Sequence, residues 1–452
     1  MRKVKWILVL SGLFLCLNNF LFPQKIFETY KKRNLDKFTS LLSKSPEYNN
    51  DTNYEGAYII HVVTRNNSTN FIKVCIEKGV DVNRKDSQGC TALMYAARNG
   101  SLINVELLVE HGADLRIKDK DGQNVLMYGL ENEQVFVYLV EKGADINSQD
   151  YDGISVLMHA IDKGYSSIAL YLITRSEINI NIKDGIEQTA LFYAVDALDL
   201  QVVESLLMKG TNVNAQNDNG ESPLMYACIR GSVPITSYLI DKNADINARD
   251  NDNWTPLMYA CINKNNAVAS LLISKGARTD YKNNDGVSAL FYAIWKKEFS
   301  VVEQLKTVGV DFNDPLPNGV TSLMIACYNG DLVMIEYLLK SKASPNARDN
   351  MGITPLMYFY SNNDTTGDLS LKFLSLNSIS ITEMLIKYGA DINAQDNAGN
   401  TALMYASDLG LTSLVKFLIS IGADPLIINR NGYSAKDIAN DKKFKKIRNY
   451  LK

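Results

Sequence analysis

The sequence is poor in the residues that carry chemistry. Only three histidines occur among 452 residues, His61, His111 and His159, and none has the glutamate and histidine spacing that holds a metal. There is no glycine-rich phosphate loop and no serine nucleophile elbow. The stretches Asp119 to Gly122 and Asp150 to Gly153 resemble the start of a calcium loop, but they lack the remaining ligands and the distal glutamate, so each reads as a turn. No catalytic residue, metal or cofactor is therefore expected, and the chain reads as no enzyme. An excess of either charge is also lacking: 47 Lys and Arg against 50 Asp and Glu leave a formal net charge of −3, which supplies no electrostatic reason to expect nucleic acid.

What is present is repetition. In Trp254 to Gly286, Thr255 is an N-cap residue and Pro256 suits a first helical position, so a helix is predicted from there. Leu257, Ala260 and Cys261 share one face of it, and the small pair lets a neighbouring backbone approach. Val268, Leu271 and Leu272 mark a second short helix that Gly276 ends. Asn283 to Gly286 then supply turn chemistry. Helices of two to three turns do not persist alone, and each hairpin leaves apolar faces uncovered, so such units must stack.

With Leu257 as marker, equivalent leucines stand at Leu93, Leu126, Leu157, Leu191, Leu224, Leu290, Leu323, Leu356 and Leu403, mostly 33 residues apart. The local segments read TALMYA, NVLMYG, SVLMHA, TALFYA, SPLMYA and so on. This pattern resembles the ankyrin repeat family, of an exported bacterial type, over nearly all of the chain after residue 23. The resemblance implies an all-α ankyrin-repeat solenoid of stacked helix-turn-helix units joined by β-hairpin-like loops. One departure is systematic. The family's TPLHxA motif places His after the leucine, where this chain has Met or Phe, as at Met94, Met225 and Phe291; only His61 keeps it. The stack should lean more on packing than on the polar network that this His supports in the family.

Residues 1–22 read as a signal peptide or membrane anchor: Arg2, Lys3 and Lys5 precede an apolar run from Trp6 to Leu17. Cys16 raises lipidation, although Leu15 is a poor residue to precede a modified cysteine. Export to the periplasm or cell envelope is expected, with membrane attachment through the N-terminus as the alternative. Residues 23–452 form the repeat domain, expected to be one continuous elongated body. It divides into an N-terminal cap at 23–55, about eleven repeats over 56–429, and a C-terminal cap at 430–452 whose lysines cover its outer face. The interval from Leu356 to Leu403 is 14 residues longer than the period, which places an insertion at 361–378 between two helices of one repeat. Its Leu371, Phe373 and Leu374 need packing or a partner.

Cys75, Cys228, Cys261 and Cys327 occupy core positions and are expected as buried thiols, since packed helices lie farther apart than a disulfide reaches. Cys90, in a turn, is expected to be the reactive one. In the resembled family, partners are gripped by hairpin tips and by the exposed side of the first helices. At those positions stand Tyr151, Ile154, Ile229, Trp254, Ile262, Trp295, Tyr328, Met351 and Ile353. Exposed Trp and Tyr are common interface anchors; Trp254 and Trp295 have the alternative of packing on their neighbours. The recurring tyrosines after the Met, such as Tyr95, Tyr259 and Tyr405, read as framework. The expectation is a monomeric scaffold that holds a protein partner chiefly across Pro223 to Met357, with a structural or protective envelope role as the alternative.

Overall fold

A computed structural model describes residues 25–53, 56–360 and 368–451. The N-terminal segment read as signal or anchor, with Cys16, lies outside these residues. The chain falls into two compact halves, Met1–Asp218 and Asn219–Lys452. Each is a stack of paired short helices, and among the described residues the only β pairing is isolated bridges across hairpins, such as Gln149 with Ser155 and Lys282 with Ser288.

The organising repeat shows how sequence becomes structure. Its first helix is Pro256–Ile262, with the Thr255 hydroxyl accepting from the Met258 N–H at 3.3 Å. Pro256 fills a position whose N–H has no helical acceptor, so its missing donor costs nothing. The second helix is Asn266–Ser274. It stops because Gly276 adopts φ +86, letting Ala277 N–H return to the Leu272 carbonyl at 2.9 Å. Leu257, Ala260, Cys261, Val268 and Leu272 are buried as expected.

In both halves first helices pack on the next first helix, and second helices largely on the next second helix. Two polar devices reinforce this packing. Consecutive hairpin tips share one backbone hydrogen bond each, as from Tyr151 N–H to Asp121 O at 2.9 Å, and from Asn284 N–H to Asp252 O at 3.0 Å. An asparagine before each of several hairpins also reaches the next repeat. Asn346 donates to Gly389 O and accepts from Asp391 N–H, both at 2.8 Å; Asn147 does the same with Glu177 O at 2.9 Å and Asn179 N–H at 2.8 Å.

The substitution of His by Met proves to be half a loss. His61 accepts from Tyr58 N–H at 3.1 Å through Nδ1, and its Nε2 meets Arg84 O in the following hairpin at 2.9 Å. In several of the Met repeats the thioether replaces the first of these bonds, with Met94 and Met158 Sδ accepting from the N-cap N–H of Thr91 and Ser155 at 3.4 Å. Sulfur is a weak acceptor and offers no donor, so the link to the next hairpin is gone. Packing and the asparagine bridges carry that connection instead.

Two irregularities follow local causes. The first helix Val125–Tyr128 is a single turn ending at Gly129, in the repeat where the marker leucines Leu126 and Leu157 stand closer than the usual period. The insertion is not simply a loop between helices: the second helix of that repeat spans Asp368–Lys387, so much of the added sequence lengthens it at its N-terminal end. Tyr360 is fully buried beside it, with its hydroxyl 2.5 Å from Thr382 Oγ1. The side chains of Leu371, Phe373 and Leu374 lie outside the described residues.

The tips are packed so closely that their glycines are constrained twice. Gly122 has φ +81, and a Cβ there would lie 2.7 Å from Tyr151 N; Gly143 has φ +88 with nothing within 4 Å. Gly143→Ala should therefore lose only the backbone cost, about 1 kcal/mol. Gly122→Ala should lose roughly 2 kcal/mol or more, because a neighbouring backbone must also shift. Denaturation midpoints of the two variants check this, and equal losses would refute the tip packing.

Candidate protein-binding surface

Most hairpins are headed by an acid or amide, and where it is an aspartate its two oxygens have separate roles. Asp184 Oδ1 accepts from Ile186 N–H at 3.0 Å and Gln188 N–H at 2.8 Å, while Oδ2 accepts from Tyr193 OH at 2.8 Å. The same arrangement holds for Asp86 with Tyr95, Asp119 with Tyr128, Asp250 with Tyr259, and Asp396 with Tyr405. Asn283 reverses the polarity and donates to Tyr292 at 3.0 Å. His159 replaces the tyrosine and meets Asp150 Oδ2 at 2.7 Å. Where the aspartate is absent, at Leu316, the position nine residues on is Ile325, so both partners are apolar. The tyrosines are thus framework, and their role is to tie a hairpin to the helix after it. The aspartates were missed in the sequence; the signal was the recurring nine-residue spacing.

This lock also disposes of the calcium-like stretches, since Asp119 and Asp150 already use both oxygens on their own chain. Among the described residues no cluster could hold a metal ion, and no helix is long and apolar enough to cross a membrane.

The expected reactive thiol is corrected. Cys90 is buried, its Sγ lies 3.1 Å from Tyr128 OH, and burial pushes its ionisation above the ordinary thiol value. A turn that packs against the next repeat is not an exposed turn, and a thiol held neutral is a poor nucleophile. Cys75, Cys228 and Cys327 are buried and shifted upward as well, and Cys261 is pushed up to about 12.

With the framework assigned, the surface positions separate into two groups. Trp254 is half-buried, stacked at 4.6 Å on Tyr292 and tilted at 5.2 Å against Tyr259, and Ile353 is buried. Trp254 has a ring face occupied by the next repeat's Tyr292, and Ile353 is closed off by its burial. Ile154 is half-buried. Trp295 and Tyr328 are exposed, at 53% and 37%, and stack on each other at 6.2 Å. Ile229 and Ile262, at the equivalent place in the preceding repeats, are half-buried like Trp254. Met351, 67% exposed, is at a hairpin tip of the same half. Tyr151, 74% exposed, is a tip of the N-terminal half.

The position at the C-terminal end of the first helix is the informative one. It is charged in the N-terminal half, at Arg65, Arg98, Asp162 and Asp196, becomes apolar over Ile229, Ile262, Trp295 and Tyr328, and is charged again at Asp408. None of these side chains is fully buried, although Arg65 and Arg98 lie over Tyr95 and Tyr128.

The family model "Ankyrin repeats (3 copies)" matches residues 28–119, 105–184, 191–285, 250–315, 290–368 and 359–429. The chain belongs to the ankyrin-repeat family. No curated protein matched the chain. Ankyrin repeats are generally protein-interaction scaffolds and typically non-enzymatic.

The lock has a pH signature. Burial first, and the aspartate hydrogen bond second, raise the ionisation of Tyr193, Tyr259 and Tyr405, and burial with the neighbouring Asp349 charge pushes Tyr358 up to about 12. A folded-state value above the unfolded 10.0 means that the stabilisation is complete below pH 10 and is lost as pH rises through the folded values. The thermal midpoint should hold up to that pH and then fall, with tyrosinate absorbance appearing together with unfolding. Tyr193→Phe, which leaves Asp184 Oδ2 without its donor, should cost about 1–3 kcal/mol at neutral pH. An unchanged midpoint would show the lock to be incidental.

Proposed function

We propose that this ankyrin protein is a non-enzymatic binding module that grips a protein partner with the first-helix face of its C-terminal half, centred on Trp295 and Tyr328 and extended by Ile229 and Ile262. The carrying observation is the change from charged to apolar residues at one repeat position over four successive repeats. Trp and Tyr combine large apolar area with a polar atom and few rotatable bonds, which suits anchors. A stacked framework holds them in place before binding, so little ordering is required when a partner docks. Met351 lies at the margin of this face, and Tyr151 offers a separate contact on the N-terminal half. The partner is engaged by a monomer.

A photo-reactive phenylalanine analogue placed at 295 in native cells should give adducts with a discrete partner, and Tyr328→Ser should reduce them. The same label at Val333, exposed on a second helix, should not. Adducts that are absent or equal at both places would favour a structural or protective envelope role.

We propose further that the protein is exported, on the support of the basic start and the apolar run from Trp6 to Leu17. Mass spectrometry of the mature N-terminus should find it beyond Cys16, or a lipid on that cysteine or a retained anchor in the membrane fraction. An intact Met1 in the soluble cytoplasmic fraction would overturn export.

A further inference from the structure

The apolar row does not stand alone, because basic residues follow it in the same turns. Lys264 comes two residues after Ile262, and Lys296 and Lys297 follow Trp295. The turns corresponding to Lys264 and Lys297 in the N-terminal half carry Asn67, Gly100, Gly164 and Leu198. Lys264 and Lys297 hold φ of 62° and 63°, a left-handed conformation that other repeats reach with Gly231 and Gly330. Leu198 and Lys443 show that the fold tolerates larger residues there, so strain alone names no site. The coincidence with the apolar row is what matters.

The local acids are already engaged. Glu298 accepts a hydrogen bond from Asn266, and Asp331 accepts from Met334 N–H at 3.1 Å as a helix cap. Lys297 Nζ meets only a neutral oxygen, Asn329 O, at 3.2 Å. Among the described residues no carboxylate pairs with Lys264, Lys296 or Lys297. The face therefore presents an apolar stripe beside three lysines that form no ion pair among the described residues, with Glu298 and Asp331 directed to neutral donors.

Repeat spacing limits the shape of what can lie on it. Packed helices are about 8–10 Å apart, which sets the separation of the helix ends along the row, and the Trp295 and Tyr328 rings lean together to 6.2 Å as one aromatic ledge. Seven residues of α-helix advance about 10.5 Å and return to nearly the same face. A helix of this period therefore matches the separation between successive repeats.

Resting on the protein-binding reading above, we infer that the Ile229 to Tyr328 row accepts an acidic amphipathic helix of about 16–20 residues, apolar at every seventh position, with its carboxylates toward Lys264, Lys296 and Lys297. The three intervals of the row set that length. The lysines add attraction that weakens with salt and discriminate against basic helices.

The test is display of random peptides about 20 residues long against the immobilised full chain, followed by anisotropy measurements on the enriched peptides. Enriched sequences should be acidic with heptad-spaced apolar residues, and added salt should weaken them. Lys264→Gly with Lys297→Gly removes both charges while relieving left-handed backbone, so its expected loss of affinity, at least tenfold, cannot come from unfolding. Trp295→Ser should abolish binding while circular dichroism stays unchanged. Peptides that need Trp295 but are neutral or basic, or ignore the two lysines, overturn this inference and leave the binding surface standing. If no peptide is enriched, or none depends on Trp295, both fall.

Discussion

A buried carboxylate that has lost its water must find its hydrogen bonds within the fold, and in this chain that demand shapes nearly every repeat. One oxygen of the hairpin aspartate holds two backbone N–H groups of the turn, and the other holds a tyrosine nine residues on. The turn and the helix that follows it become one rigid piece. Only then can the tip of one hairpin meet the next through a single backbone hydrogen bond, and only then does the left-handed glycine of the tip acquire a neighbour too close for a Cβ. The pairing is visible even in its exception, since Leu316 and Ile325 give up both polar groups together. Losing one alone would leave a buried polar atom unsatisfied.

This lock also compensates for what the chain lacks. Methionine at the family's histidine position keeps the bond that caps its own helix and loses the one that reaches forward. The tyrosine lock stiffens each repeat internally, and the asparagine bridges rejoin it to the next. Histidine is consequently almost dispensable in this protein, which fits its rarity.

A framework built from the same few positions leaves the others free to vary. The end of the first helix is not fully buried, so it can be Arg98 in one repeat and Trp295 in another without disturbing the stack. Two tryptophans in adjacent repeats illustrate the division. Trp254, ahead of the N-cap, lies under the aromatic ring of the next repeat, whereas Trp295, at the helix end, meets solvent and one stacked tyrosine. The binding face proposed for the chain is built wholly from positions of the second kind.

The sequence by itself determined the repeat, its period, the helix starts at Thr255 and its equivalents, the glycine stops and the buried leucines, because each follows from local chemistry repeated many times. It also showed the tyrosines to be framework, since a residue present in nearly every repeat cannot mark one site. Tertiary structure decided what depends on the neighbouring repeat: that Cys90 and Ile353 are buried, that Trp254 stacks on the next repeat's tyrosine while Trp295 and Met351 are exposed, and that the insertion extends a helix. Exposure in a stack is a property of two adjacent repeats. A single repeat's sequence specifies which face a side chain is on, and only the packed neighbour specifies whether that face is open.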